Sequence, residues 1–508
     1  MHATLQKYFG YSEFRPLQED IIRDVLDRKD TFVLMPTGGG KSLCYQLPAL
    51  LMDGVTVVIS PLISLMKDQV DGLVANGIGA AYLNSTLSRS EVQEVKQDLR
   101  DGRLKLLYVA PERLTMPSTI KLLKKADVSL FAIDEAHCIS EWGHDFRPEY
   151  RKLNMLRSEF SGVPMIALTA TATPKVREDI VKQLNLAVSD TYVASFNRQN
   201  LSYQVRPEKK PYTPLRSYLR DHRGESGIIY CHSRKAVEKL AGKLKKDGFS
   251  ALPYHAGLSP TIRKRHHEQF IRDDVQIIVA TVAFGMGIDK SNVRYVVHYD
   301  LPKDLESYYQ QTGRGGRDGL ECDCILYFNR GDWHKIKYFI DQMGRKQERD
   351  IAMSKLRQMM EYCDTNTCRR RVLLRYFGED LTEDCGNCDA CLDPKEIFDG
   401  TEETKKLLMC VKDVDQKFGM THVVDVLRGS RSSKVRKYKH EHLRSHGSGR
   451  EYTKEQWLDM AREMVNKELL AVSGSRYPVL KLNQNSRAIL SGNKNVQLSQ
   501  LSSMERNE

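Results

Sequence analysis

The stretch Thr31-Phe32-Val33-Leu34-Met35-Pro36-Thr37-Gly38-Gly39-Gly40-Lys41-Ser42 passes from a short apolar run, through three glycines, into sequence of helical character. Glycines allow backbone N–H groups to wrap a phosphate chain, and the helix N-terminus behind them favours anions. A lysine at this position reaches the terminal phosphates, and the hydroxyl after it can ligate Mg²⁺. The expected nucleotide cradle is Thr37, Gly38, Gly39, Gly40, Lys41 and Ser42, with Lys41 catalytic and Ser42 on the metal. Met35 stands where the strict pattern begins with Gly. A strand, loop and helix in this order open a parallel α/β sheet.

Outward from the loop, apolar runs of strand length recur at 55–59, 105–109, 130–133 and 165–168, separated by longer helical stretches. Near-continuous apolar strands suit a parallel sheet covered on both faces. The pattern returns at 227–230, 276–280, 295–298 and 324–328, which implies a second α/β lobe without a phosphate loop of its own. The polar, proline-containing stretch 206–214 reads as the hinge between the lobes. From Asp341 the chain turns helical and charge-rich; after Thr401 comes a smaller mixed region. The polar tail from Asn493 is expected to be disordered.

A chain of 508 residues exceeds what one hydrophobic core supports, so several domains are expected. No apolar run approaches the ~20 residues that cross a bilayer, and residues 1–9 lack a signal-peptide core, so an intracellular protein without a membrane partner is expected. The net charge of +12 favours a polyanionic partner, because each neutralised phosphate releases condensed counterions. Eleven cysteines do not read as a disulfide framework; Cys44, Cys138 and Cys231 lie in apolar or motif contexts and suit reduced, buried thiols.

Asp134-Glu135-Ala136-His137 follows the apolar run that ends at Ile133. A carboxylate at a strand's C-terminal end, on a sheet that carries a phosphate loop, is placed to hold Mg²⁺. Asp134 is the expected metal ligand, and Glu135 the residue that orients or deprotonates the attacking water. In the second lobe, Gly313-Arg314-Gly315-Gly316-Arg317-Asp318 can supply positive charge to a departing γ-phosphate once the lobes close. Cys368, then sixteen residues, then Cys385-Gly386-Asn387-Cys388-Asp389-Ala390-Cys391 offers four thiolates, enough to fill a tetrahedral zinc shell; an iron–sulfur cluster uses similar spacing. Between 428 and 450, eight Lys/Arg face one acidic residue, Glu441, a patch suited to duplex backbone.

Together these motifs resemble the superfamily-two helicases, and closely the RecQ family of DNA helicases, over about residues 1–490. Phe14-Arg15-Pro16-Leu17-Gln18 is similar to that family's adenine-recognition element. The resemblance implies that Tyr11 and Arg15 sandwich the base while Gln18 bonds its edge. Ser60-Pro61-Leu62-Ile63-Ser64-Leu65-Met66, Tyr108-Val109-Ala110-Pro111-Glu112-Arg113 and Ala167-Leu168-Thr169-Ala170-Thr171-Ala172 resemble the strand-contacting and coupling motifs of the first lobe. Tyr230-Cys231-His232-Ser233-Arg234 and the segment Ala280 to Lys290, with Asp289 among the nucleotide contacts, match motifs of the second. In Tyr308-Tyr309-Gln310-Gln311-Thr312-Gly313-Arg314, Gln311 stands where the family usually has Glu, and Gly315 follows where it usually has Ala. The arginine-finger role falls on Arg317, and γ-phosphate or coupling contacts on Arg314.

Cys138-Ile139-Ser140-Glu141-Trp142-Gly143-His144-Asp145-Phe146-Arg147-Pro148 resembles the aromatic-rich loop by which the family links DNA engagement to hydrolysis. Trp142 and Phe146 can stack on unpaired bases, and Arg147 can contact phosphate or relay position to the ATP site. The family's zinc-binding subdomain carries the same cysteine spacing, which assigns Cys368, Cys385, Cys388 and Cys391 to Zn²⁺.

The resemblance implies an α/β fold of two RecA-like lobes, 1–205 and 206–340, then a helical zinc-binding subdomain at 341–398 and a winged helix at 399–492, with 493–508 as the tail. The helicase-and-RNaseD C-terminal domain of many relatives is not expected here. The implied activity is ATP- and Mg²⁺-dependent 3′-to-5′ translocation on single-stranded DNA, unwinding duplex, forked or recombination-intermediate DNA. The implied setting is a monomer with repair or single-strand-binding protein partners, cytoplasmic on the nucleoid in a prokaryote and nuclear in a eukaryote. An RNA remodeller on the same engine, and a DNA-annealing scaffold with a decayed ATPase, are the alternatives.

Overall fold

The computed structural model describes residues 1–143, 145–187, 191–285, 290–394, 396–474 and 478–499. The first sheet has seven strands: β1 (Thr31–Leu34), β2 (Val55–Ile59), β3 (Ala80–Leu83), β4 (Leu106–Val109), β5 (Val128–Ile133), β6 (Met165–Thr169) and β7 (Thr191–Val193). They run in parallel in the order β3-β4-β2-β5-β6-β1-β7. All residues of β1, β2, β4, β5 and β6 are buried, as expected for strands covered by helices on both faces. The order places β6 between β1, which leads into the phosphate loop, and β5, which ends just before Asp134. Three strand ends therefore deliver their loops to one edge of the sheet.

The second sheet comprises β8 (Leu201–Pro207), β9 (Ser226–Tyr230), β10 (Ala251–Tyr254), β11 (Ile277–Ala280), β12 (Val293–His298) and β13 (Cys322–Phe328), ordered β10-β11-β9-β12-β13-β8. Here the hinge expected at 206–214 is corrected. β8 already belongs to the second sheet, so the chain crosses between lobes after β7 and before Leu201, and the lobe boundary moves upstream of 205. An alternating, half-polar edge strand lacks the continuous apolar signal of its neighbours, whereas 206–214 stands out only by its prolines and charges.

The chain divides into two compact units. The first comprises Met1–Ser202, Arg206–Asn329 and Leu373–Thr382. The second holds Tyr203–Val205, Arg330–Val372 and the described residues from Glu383 onward. The expected subdomain at 341–398 is thus split, because Leu373–Thr382 packs with the lobes: Phe377 stacks on Phe196 at 4.6 Å, and Glu379 accepts from the Ser195 hydroxyl at 2.5 Å and the Phe196 N–H at 2.6 Å.

The second unit has its own core, in which Trp457, Leu407, Val411, Val424, Leu427 and Met460 are buried. Helices Thr401–Asp413, Met420–Leu427 and Lys454–Asn466 and an antiparallel ribbon of β15 (Ala471–Ser473) with β16 (Val479–Lys481) build a winged helix. β14 (Ile397–Asp399) pairs antiparallel with β17 (Gln497–Ser499). This corrects the expectation of a disordered tail from Asn493: Leu498 and Val496 are buried in the same core, and two apolar residues in a polar stretch suffice once a partner strand exists. Residues 500–508 lie outside the described residues.

Candidate ATP site and nucleic-acid interface

The phosphate loop is tied to its sheet by the Met35 N–H, which donates to Thr169 O at 3.1 Å, and turns on Gly39 N–H to Pro36 O at 3.0 Å. Gly38 and Gly40 hold φ of 81° and 80°, a left-handed backbone that glycine adopts without cost. A Cβ at Gly40 would lie 2.4 Å from Gln18 Nε2 and would displace that side chain from the loop. Lys41 folds back over the loop, its Nζ donating to Met35 O at 3.1 Å and Pro36 O at 3.3 Å. Burial pushes the Lys41 pKa down, while Glu135 and Asp134 pull it up.

Two of the residues expected to recognise adenine border the same loop. Gln18 donates to Gly40 O at 3.1 Å and accepts from the Arg15 N–H at 2.8 Å, and Arg15 Nη1 donates to Gly38 O. Tyr11 is exposed to solvent. The structure therefore brings Arg15 and Gln18 to the loop, with Tyr11 free to stack.

Asp134 and Glu135 leave β5 at the adjoining strand end, anchored by Asp134 N–H to Ile59 O at 2.9 Å and by Tyr150 OH to Asp134 O at 2.9 Å. Glu135 has a φ of 48°, a left-handed backbone strained for a side chain with a Cβ and held by the structure around it. It is buried, and its Oε2 lies 3.3 Å from His137 Nδ1. Burial, then the neighbouring Glu135, raises the Asp134 carboxyl to about 7; burial also raises Glu135, against Lys41 and Arg314. Two crowded acids, both desolvated by burial and both facing Lys41, are a donor set that suits a divalent cation. His137 Nδ1 lies 2.8 Å from Thr169 Oγ1, linking this loop to the end of β6.

The arginine loop of the second lobe closes on the first. Arg317 Cγ lies 3.6 Å from where a Gly38 Cβ would stand, and Thr37 Cβ lies 3.7 Å from the equivalent point at Gly313. Arg314 is buried, and its Nη1 donates to Gly285 O. Lys41, Asp134, Glu135, Arg314 and Arg317 thus surround one phosphate loop. Asp289 lies outside the described residues.

In the aromatic loop, Lys175 Nζ sits 3.0 Å above the Trp142 ring, and the Arg151 guanidinium 5.5 Å from Phe146. Both rings are half-buried. Arg147 spans two motifs: Nη1 donates to Pro61 O at 2.9 Å, while Nη2 pairs with Asp145 at 3.1 Å. Gly143 is obligatory, since a Cβ would meet His137 O at 2.6 Å.

In the second unit, the Sγ atoms of Cys368, Cys385, Cys388 and Cys391 all lie within 4.8 Å of one another. A tetrahedral shell with Zn–S of about 2.3 Å places sulfurs about 3.8 Å apart. The Cys388–Cys391 and Cys385–Cys391 separations of 3.4 and 3.9 Å fit it. The Arg369 and Cys385 N–H groups each donate to a sulfur at 3.4 Å, the outer support such a site needs. A single ion fits; a multi-iron cluster, whose thiolates bind different metal atoms, needs a wider set. The basic stretch also presents itself as expected: Arg431, Lys434, Arg436, Lys437, Lys439, Arg444 and Arg450 are exposed, while Arg428 turns inward to Tyr452 O.

Two parallel-sheet lobes that enclose a phosphate loop and an arginine loop define a helicase-type nucleoside triphosphatase. The DEAD/DEAH box helicase family matches residues 15–180, and the helicase conserved C-terminal domain 210–319. The RecQ zinc-binding family matches 330–392 and the RQC domain 394–507. The ATP-dependent DNA helicase RecQ of Haemophilus influenzae is 45% identical over 98% of this chain and 80% of its own length; that of Bacillus subtilis is 44% identical over 97% and 84%. The chain belongs to the RecQ family of ATP-dependent DNA helicases. Among solved structures, the Mycobacterium smegmatis helicase Lhr bound to ssDNA and AMP-PNP shares the fold at a TM-score of 0.53 and 15% identity, over 97% of this chain and 62% of that one. Saccharomyces cerevisiae Dbp5 bound to RNA and ADP BeF3 does so at 0.53 and 17%, over 70% and 97%. Among the described residues no helix is long and apolar enough to cross a membrane.

Proposed function

We propose that the chain is an ATP- and Mg²⁺-dependent DNA helicase that translocates 3′ to 5′ on single-stranded DNA and opens duplex or forked DNA in repair and recombination. The observation that carries this reading is the convergence of Lys41, Asp134 and Glu135 from one lobe with Arg314 and Arg317 from the other on a single phosphate loop. Thr37, Gly38, Gly39 and Gly40 cradle the phosphates; Tyr11, Arg15 and Gln18 hold adenine, Gln18 exchanging its bond to Gly40 O for one to the base. Ser42 and Asp134 would hold Mg²⁺, which would supply positive charge to the phosphates. Glu135 takes the proton of the attacking water, a task suited to a buried carboxylate of raised pKa. Arg317 stabilises charge on the leaving phosphate.

Trp142 and Phe146 stack on unpaired bases, and Arg147 relays loop position to Pro61 and so to the strand end beside Asp134. The cysteine site braces the second unit, and its basic surface grips duplex backbone. Asp289 is proposed as a further nucleotide contact. The site of action is wherever the cell keeps its DNA.

A strand-displacement assay on 3′-tailed, 5′-tailed and forked DNA, with and without ATP, tests this. Unwinding of 3′-tailed and forked DNA only, and only with ATP, is expected. Opening of 5′-tailed DNA alone would overturn the polarity, and ATPase stimulation by RNA in preference to DNA would overturn the track.

A further inference from the structure

Between β7 and β8 the chain crosses from one sheet to the other through Phe196-Asn197-Arg198-Gln199-Asn200. Two side chains of this connector take hold of the arginine loop. Arg198 Nη1 donates to Gly313 O at 2.7 Å, and its Nη2 to Gly315 O at 2.8 Å and Gly316 O at 2.6 Å. Asn200 Nδ2 donates to Gly316 O at 2.9 Å and Leu320 O at 2.7 Å. Four carbonyls of one turn are thus collected by a guanidinium and an amide from more than a hundred residues upstream.

The turn is shaped for this grip. Gly316 holds φ of 55°, and a Cβ on it would stand 2.4 Å from Asn200 Nδ2. A Cβ on Gly315 would stand 2.1 Å from Cys322 Sγ, so the loop lies flush on β13. The helix Leu305–Thr312 that leads into the loop is pinned to the same connector, Tyr309 OH donating to Phe196 O at 2.9 Å. The planar fork of arginine serves several oxygens at once, which a lysine ammonium on a flexible stem does not reproduce.

We propose that Arg198 and Asn200 are positioning residues of the ATP site, which set the loop 313–318 so that Arg317 meets the phosphate loop. The proposal rests on the reading that Arg317 acts on ATP. Because the clamp sits on the covalent connection between the sheets, lobe closure and the aim of Arg317 become one motion. The clamp acts through the arginine loop.

The test uses the full chain and DNA-stimulated ATP hydrolysis, with kcat and KM for ATP measured for Arg198→Ala, Arg198→Lys, Asn200→Ala, Arg317→Ala and the double variant Arg198→Ala/Arg317→Ala. Misaiming a catalytic group by about 1 Å costs on the order of 10²-fold, so Arg198→Ala should lose about that in kcat with KM changed less than about threefold. Arg198→Lys should recover little of it, and the double variant should be no slower than Arg317→Ala, since both losses pass through one arginine. Asn200→Ala, a milder change should Arg198→Ala fail to fold, should lose about tenfold in kcat alone. Wild-type kcat in Arg198→Ala or Asn200→Ala, or losses that multiply in the double variant, overturns the clamp. Wild-type kcat in Arg317→Ala instead overturns the assignment of Arg317 itself, and the clamp with it.

Discussion

Replacing Gly143 by alanine tests whether the aromatic loop transmits DNA binding to the ATP site by its shape. The added Cβ would meet His137 O at 2.6 Å and Ser140 O at 3.1 Å, both backbone atoms that cannot rotate away. His137 cannot yield, because its ring is held by Thr169 Oγ1 at 2.8 Å inside a buried site. The displacement therefore falls on the part of the loop that carries Trp142 and Phe146. Relieving the contact to an ordinary separation requires a shift of somewhat under 1 Å, and forced overpacking of this kind costs about 1–3 kcal/mol. The lobe should still fold, with a melting midpoint lowered by several degrees. A misplacement on that scale costs up to about 10²-fold in a coupled catalytic step. DNA-stimulated hydrolysis should therefore fall by about tenfold or more, while basal hydrolysis, which needs no contact from the rings, stays within about twofold. ATPase rates with and without single-stranded DNA measure both. Stimulated and basal rates that fall equally, or a stimulated rate left intact, would refute the reasoning.

Lys41→Ala should abolish unwinding while sparing much of the DNA affinity, read by strand displacement and fluorescence anisotropy on one preparation. Metal analysis should find about one zinc per chain, lost together with stability in Cys388→Ser; a brown, iron-bearing preparation would contradict the single-ion geometry. Neutralising Arg431, Lys434, Arg436 and Lys437 should reduce the slope of log affinity for duplex against log salt by about 0.9 for each phosphate contact removed, so an unchanged slope would place the duplex elsewhere. His422 and His440 share a 2.8 Å hydrogen bond; burial, then His440, lowers His422 from 6.5 to about 4, and burial lowers His440. Below pH 6.5 the unfolded chain takes up protons that the folded pair refuses, so their stabilisation is complete above 6.5 and drains away as pH falls toward 4. Thermal melts of His422→Gln should show a weaker pH dependence in that window than the wild-type chain.

The parts of the site legible in the sequence are those whose geometry is local. Gly38 to Ser42 form a loop whose conformation is written in neighbouring residues, and Asp134 and Glu135 are placed by the strand directly before them. Three of the four cysteines sit within seven positions. Strands with continuous apolar runs were equally plain. β3, with its two alanines, β7, short and largely exposed, and β10, with its internal proline, carried no such signal, and β8 alternates like an edge.

The chemical groups are local patterns: a phosphate loop, paired carboxylates, arginines and a thiolate set, each recognisable from residue type and spacing. Only the tertiary structure decided which of these meet. Arg317 against Gly38, Arg147 on Pro61 and Arg198 on the carbonyls of Gly313, Gly315 and Gly316 join residues scores to hundreds of positions apart. Arg198 in an unremarkable connector has no local signature, because its partners are backbone oxygens, which every residue owns. Their convergence is a property of sheet order and of where β7 hands the chain to β8.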